Sequence, residues 1–267
     1  MPTRPRVIAT DLDGTLLDPR GDVTPRTRRA LRRMWGLGIE TVFVTARPPR
    51  WIDPLAEHVG GHGVAVCANG AFVYEVAARR VVEAVGLDVG VVARIAADLR
   101  TRYPGVGFAA ERPQGMHLET AYRSPMLPLH AHDDPAVDHG PIEEVRGVVG
   151  KLLARAPDVP DLDFIEGVAR IVGDRGIVAY SGAGGLAEIG PPGVTKATAL
   201  ARWCEERGIT AADVWAFGDM PNDLPMLAWA GRSFGMGGGH ELVLDAVDEV
   251  CAGNDRDGVA RVLERIR

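Results

Sequence analysis

Short β-branched runs alternate with amphipathic stretches at both ends of the chain, and that order leaves few folds open. "RVIATD" (6–11) reads as a buried strand. Thr24 and Pro25 supply an N-cap and first helical position for a helix that runs to about Leu37, with Gly38 as its stop signal. "IETVFVTAR" follows as a second strand, Pro48 or Pro49 opens another helix, and "GVAVCANG" is a third strand ending in a turn. Strands separated by helices imply a parallel sheet covered on both faces, since parallel neighbours need a crossover connection. The pattern resumes near the other end. "TKATALARWCEERG" is a helix closed by Gly208, "DVWAFGD" a strand, "PNDLPMLAWAG" a short helix, "RSFGMG" a strand and "DGVARVLERI" a final helix.

Between these halves the texture changes. Residues 84–189 hold a helix ("DVGVVARIAADLRTRY"), strand-like runs ("VGFAAE", "MHLETAY", "GIVAYS", "LAEI") and a Pro/His/Asp-rich stretch around 125–141. That is too much material for a loop. The expected fold is therefore α/β: a Rossmann-like doubly wound parallel sheet core formed by residues 1–83 and 190–267, with an inserted α+β domain at 84–189.

Composition narrows the function. A chain of 267 residues, 46% hydrophobic and 25% charged, can bury one large core or two smaller ones, which excludes general disorder. A formal net charge of −6 argues against nucleic acid and anionic membranes as partners, because both are held by a positive surface field. The basic run "TPRTRRALRRM" has helical spacing, with Ala30, Leu31 and Met34 on the inner side, and reads as a solvated helix face. Cys67, Cys204 and Cys251 lie far apart without a CxxC pair, so neither a disulfide framework nor a zinc knuckle is expected. No apolar leader precedes the first strand, and no window approaches the ~18 apolar residues of a membrane span. The expected location is cytoplasmic, and the expected assembly a monomer or homodimer.

The chemistry gathers at one sheet edge. In a parallel α/β sheet, ligands collect at the carboxyl ends of the strands. Asp11 and Asp13 follow the first strand, Thr45 and Arg47 the second, Asn69 the third, and Asp219, Asn222 and Asp223 follow "VWAFG". Lys196 begins the helix after the insert. Four carboxylates and a lysine on one edge point to a divalent cation, which would relieve the repulsion between Asp11 and Asp13.

"DLDGT", "VTAR", the lysine of "GVTKATAL" and "GDMPNDLPML", in that order and with a long insert between the second and third, resemble the haloacid dehalogenase-like superfamily. The placement of the insert, "ANGA" at 68–71 and the ending "NDRDGVARVL" resemble its Cof-type phosphatase branch. The resemblance implies a phosphatase acting on small-molecule phosphate esters, with the insert as a cap domain. It implies Asp11 as the nucleophile that forms an aspartyl-phosphate and Asp13 as general acid and base. Mg2+ would be held by the Asp11 side chain, the Asp13 carbonyl and Asp219, with Asp223 in support. Thr45 and Lys196 would bind phosphate oxygens with Asn222 nearby, and Gly14 would let the chain turn so that its amides reach the phosphate. Met220 stands where the family often has glycine, and "GMGGGH" where many members carry Asn-Ala; neither removes a catalytic group.

Plainer readings stand beside these. Asp223 also suits a helix N-terminus, Arg47 is equally compatible with anchoring its loop or meeting substrate, and Asn69 before Gly70 is compatible with turn chemistry as well as with the substrate contact its place on the catalytic edge suggests. In "LHAHDDPAVDH", His130, His132, Asp133, Asp134 and His139 invite a metal-site reading. Pro128, Pro135 and Pro141 break that segment, so a loop is expected. Arg112, His117, Glu119, Tyr122, Arg123 and Lys151 are the candidates for contacts that set specificity. The rival functions are a phosphotransferase or mutase, and a phosphate-accepting signalling or binding protein with little turnover. Asp13 favours hydrolysis, because mere acceptance of phosphate needs no second carboxylate to activate water.

Overall fold

The computed structural model describes residues 4–58, 63–123, 136–179 and 184–267. In chain order it begins with β1 (Val7–Thr10), α1 (Pro25–Gly36), β2 (Glu40–Val44), β3 (Val64–Cys67), β4 (Phe72–Glu75) and β5 (Arg80–Ala84). Next come α2 (Val89–Arg102), β6 (Gly107–Arg112), β7 (Gly115–Leu118), β8 (Val137–His139), β9 (Lys151–Arg155), α3 (Asp161–Val172), β10 (Ile177–Ala179) and β11 (Leu186–Gly190). The chain closes with α4 (Lys196–Glu205), β12 (Val214–Gly218), α5 (Leu224–Trp229), β13 (Arg232–Met236), α6 (Glu241–Leu244), β14 (Glu249–Cys251) and α7 (Gly258–Leu263). It divides into two compact units, one reaching Val82 and resuming at Thr195, the other spanning Glu83–Val194.

The first unit is built on a sheet ordered β14-β13-β12-β1-β2-β3-β4-β5. It is parallel from β14 through β3, and β4 runs antiparallel to β3. β1 is buried along its whole length, so apolar Val7, Ile8 and Ala9 cover both faces, and the one polar residue, Thr10, donates its hydroxyl to the Asp11 carbonyl at 2.8 Å. Ile8, Phe43, Phe217 and Phe234 pack on one face with Leu31 and Met34 of α1 and with Val259 and Leu263 of α7. Val7, Ala9, Val44 and Ala216 pack on the other with Leu200 and Trp203 of α4 and with Met226 of α5. The chain moves from β1 towards β3 on one side and returns through β12 on the other. The strand order therefore reverses between β1 and β12, which opens a crevice at their carboxyl ends.

One local expectation is corrected. Pro49 opens only a short 3-10 turn, Pro49–Trp51, followed by another at Asp53–His58, and among the described residues between β2 and β3 no α-helix forms. Pro54 lacks the amide that a continuous helix from Pro49 needs.

The second unit has a six-stranded sheet, β10-β11-β9-β6-β7-β8, antiparallel except for the β7–β8 pair. Val92, Ile95 and Leu99 of α2 and Phe164 and Val168 of α3 cover one face, over Phe108, Leu152 and Ile189. Several side chains considered for specificity are bonded within this unit. Glu119 accepts from the Phe108 and Ile142 amides at 3.1 and 2.9 Å and pairs with Arg100. His117 Nε2 lies 3.1 and 3.0 Å from the Gly140 and Pro141 carbonyls, Arg112 pairs with Asp138 at 2.7 Å, and Arg123 donates to the Thr120 and Tyr122 carbonyls. Of His130, His132, Asp133, Asp134 and His139, only His139 is described, in β8; the other four lie outside the described residues. Among the described residues, no helix is long and apolar enough to cross a membrane.

Candidate active site

The crevice between β1 and β12 is shaped by the turn that follows β1. The Asp11 amide donates to the Phe217 carbonyl at 3.0 Å, tying the end of β1 to β12. Leu12–Leu16 then form one wide turn, closed by the Leu17 amide on the Leu12 carbonyl at 2.9 Å. Gly14 sits in it at φ +80°, and a Cβ there would lie 2.2 Å from Asp219 Oδ2. Only glycine permits both the conformation and the approach. Thr15 completes the turn by donating its hydroxyl to Asp219 Oδ1 at 2.8 Å. Thr15 is a site residue outside the set expected from the sequence; its place in "DLDGT", one residue past the turn glycine, is the available signal.

Asp223 organises the facing loop. Its Oδ2 accepts from the amides of Asp219 and Met220, both at 3.1 Å, and its Oδ1 accepts from Lys196 at 2.6 Å. Lys196 is the first residue of α4, whose start is fixed by the Thr195–Thr198 capping box. From there its Nζ also reaches Asp11 Oδ1, at 2.5 Å. All three side chains are buried, Asp223 completely.

Asp11, Asp219 and Asp223 each present a carboxylate oxygen within 4.8 Å of the others. Burial pushes Asp11 well above the usual carboxylate range, against the pull of Lys196, and the neighbouring Asp223 and Asp219 push it further. Burial likewise lifts Asp219 to about 6, opposed by the Thr15 hydroxyl. Burial on its own would lower Lys196, but the two carboxylates outweigh it and raise the ammonium above its ordinary value, so it stays charged. One lysine does not neutralise three acids. An all-oxygen donor set with surplus negative charge fits a hard divalent cation such as Mg2+.

Asp13 belongs to a different arrangement. Its carboxylate pairs side-on with Arg47, Nε to Oδ2 at 2.8 Å and Nη2 to Oδ1 at 2.6 Å, and this bond raises the guanidinium further. The loop carrying Arg47 is stapled to the one after β3. The Asn69 amide donates to the Thr45 carbonyl at 3.0 Å, and the Ala68 amide to the Arg47 carbonyl at 2.9 Å. Ala68 and Asn69 both have positive φ, +51° and +57°. Asparagine tolerates that conformation, while alanine in it marks backbone held under strain by its surroundings. Thr45 is buried, and its Oγ1 accepts from the Arg47 amide at 3.1 Å. The Asn222 side-chain oxygen is buried without a hydrogen-bond partner among the described residues. The structure thus gathers Asp11, Asp219, Asp223 and Lys196 into one cluster, and Asp13, Arg47, Thr45 and Asn69 into a second connected set.

A family model described as haloacid dehalogenase-like hydrolase matches residues 8–263. The chain belongs to that family. The Cof-type branch read from the motifs agrees with this assignment, and the protein is a phosphomonoester hydrolase. It is 27% identical to the pyridoxal phosphate phosphatase YbhA of Escherichia coli, over 97% of each chain. It is 28% identical to the 5-amino-6-(5-phospho-D-ribitylamino)uracil phosphatase YitU of Bacillus subtilis, over 99% of this chain and 98% of that one. Among solved structures, a haloacid dehalogenase-like hydrolase from Bacteroides thetaiotaomicron superposes with a TM-score of 0.80 at 25% identity, covering 99% of this chain and all of the other.

Proposed function

We propose that this hydrolase is a magnesium-dependent phosphatase acting on small phosphorylated metabolites, sugar phosphates or similar phosphomonoesters, through an aspartyl-phosphate on Asp11. The observation that carries the reading is the Lys196 ammonium bonded to Asp11 within a buried acidic group. That arrangement keeps a carboxylate oriented and offers a cation where a phosphoryl group would arrive.

In this reading an Asp11 oxygen attacks phosphorus while the ester oxygen leaves, taking a proton from Asp13. Water, losing a proton to Asp13, then attacks the phosphorus of the aspartyl-phosphate, and inorganic phosphate leaves with Asp11 regenerated. Lys196, Thr45 and Asn222 hold the non-bridging oxygens, joined by amides of the turn that Gly14 makes possible. Asp11, Asp219 and the Asp13 carbonyl are the proposed metal ligands. Both Asp223 oxygens already accept hydrogen bonds, so that residue acts mainly by shaping the Asp219 loop. Magnesium, when bound, neutralises the carboxylates and polarises the phosphate oxygens. The inserted unit is proposed as the cap that selects the leaving group. The named relatives act on phosphomonoesters of small heterocyclic metabolites, which supports a substrate of that size.

The test is intact-protein mass spectrometry after mixing variants with magnesium and an activated aryl phosphate. Asp13→Asn keeps the nucleophile but lacks the base for the second step, so a phosphate adduct should accumulate on the peptide containing Asp11. Asp11→Asn should show none. An adduct on Asp11→Asn, or one mapping elsewhere, would overturn the assignment.

A further inference from the structure

The Asp13 side chain is 60% exposed on a turn, yet its orientation is fixed, because Arg47 grips both of its oxygens. We propose that Arg47 positions the Asp13 carboxylate for proton transfer and is not a ligand of the substrate's phosphate. The proposal rests on the reading of Asp13 as general acid and base.

The geometry of the pair is the first support. Each Asp13 oxygen accepts one guanidinium hydrogen bond, which leaves a lone pair on each for the leaving oxygen or for water. The guanidinium lies behind the carboxylate, 21% exposed against 60%. The open side of the pair therefore belongs to Asp13. Among the described residues no other side chain hydrogen-bonds Asp13.

The second support is how firmly Arg47 is held. Its amide donates to Thr45 Oγ1, its carbonyl accepts from the Ala68 amide, and Pro48 confines the backbone of the residue before it to extended conformations. The strained Ala68 and its neighbour Asn69 thus brace the base of this arginine. Such preorganisation is what a proton-transfer group on an exposed turn needs, since a freely rotating carboxylate would seldom meet the reacting oxygen. Lysine cannot substitute, because an ammonium offers a point charge and not a planar fork.

The test compares Arg47→Gln, Arg47→Lys, Asp13→Asn and the two double variants with magnesium. Substrates are p-nitrophenyl phosphate, whose leaving group needs little acid, and the best substrate from a panel of sugar and polyol phosphates, whose leaving group needs much. Arg47→Gln should lower kcat about 10- to 100-fold on the alkyl ester, within the range of a general acid's contribution, and less on the aryl ester. Arg47→Lys should not rescue it. Competitive inhibition by inorganic phosphate should change less than about twofold, and neither Arg47 substitution should add to Asp13→Asn. A tenfold weaker phosphate inhibition with kcat kept, or full additivity with an impaired Asp13→Asn, would overturn the proposal while leaving the role of Asp13 intact. An Asp13→Asn protein with full alkyl phosphatase activity would instead remove the underlying reading, and this proposal with it. Should Arg47→Gln fail to fold by circular dichroism, Arg47→Lys carries the same comparison.

Discussion

Lys196 Nζ lies 2.5 Å from Asp11 Oδ1, and the two side chains are 2% and 7% exposed. A pair so buried is asymmetric in its consequences: forming it gains little net stability, whereas removing one member strands the other. Lys196→Met is therefore expected to do two things. Turnover should fall by about 10² to 10³, as for loss of one donor to a developing oxyanion. Stability at neutral pH should fall by about 3–5 kcal/mol, because Asp11 and Asp223 are left buried without their cation. Burial already holds Asp11 well above the usual carboxylate range, so lowering the pH lets it protonate and the stability gap between variant and parent should narrow as the pH falls. Thermal melts in magnesium-free buffer would read this, and a gap of constant size would assign the loss to packing.

Asp219 gives a pH dependence of definite sign. In the metal-free protein its folded value of about 6 stands above the ordinary 3.8. The folded state therefore holds a proton that the unfolded state has released, and stability declines as pH rises towards and through 6. Asp18, Asp213 and Glu264 are shifted downward, so what they contribute is lost only at lower pH. Melts with EDTA between pH 5 and 7 should show the parent losing stability relative to Asp219→Asn. Added magnesium should stabilise the parent progressively more across that interval, because it competes with the proton. A parent that gains on Asp219→Asn without metal would contradict the assignment.

Gly14→Ala is expected to be far more damaging than its size implies. The new methyl would meet Asp219 Oδ2 at 2.2 Å, at a backbone φ of +80° that alanine resists. Either the turn or the Asp219 carboxylate must shift. A displacement of about 1 Å in such a site can cost about 10²-fold in rate. Steady-state rates and a magnesium titration should both deteriorate. An unchanged magnesium affinity with reduced rate would mean that the turn moved and Asp219 stayed.

The positions of the acidic and basic residues were legible because a parallel sheet sends whatever follows each strand to the same edge. Their pairing was not. Asp13 meets Arg47 and Lys196 meets Asp11 across 34 and 185 residues, and spacing alone cannot say which cation takes which acid. In the second unit even an element was hidden. α3 carries Phe164, Val168 and Val172 at helical spacing, but Gly167 interrupts it like a turn residue. Gly167 is there because a Cβ would lie 1.9 Å from the Tyr103 hydroxyl oxygen, a close approach between helices that no local pattern reveals. β9 was missed for a related reason: "KLLAR" is buried on both sides and starts with a lysine whose partner, Glu188, is on β11.

That lysine offers a test confined to the second unit. Lys151 Nζ lies 2.9 Å from Glu188 Oε1, with the side chains 4% and 6% exposed, and Lys151 also faces the buried Glu111 across the β6–β9 pair. Lys151→Met removes a buried ammonium bonded to Glu188 and should destabilise the protein by about 3–5 kcal/mol. Lys151→Met with Glu188→Leu removes both members of the pair and fills the space with apolar atoms, so the part of that loss due to Glu188 should return while the part due to the facing Glu111 remains, which calorimetry would measure. The acidic group around Asp11 lies wholly in the other unit, so magnesium affinity at temperatures where the variants are folded should match the parent. A double variant no more stable than Lys151→Met would show that the lysine contributes through packing of its own stem, and not by balancing Glu188.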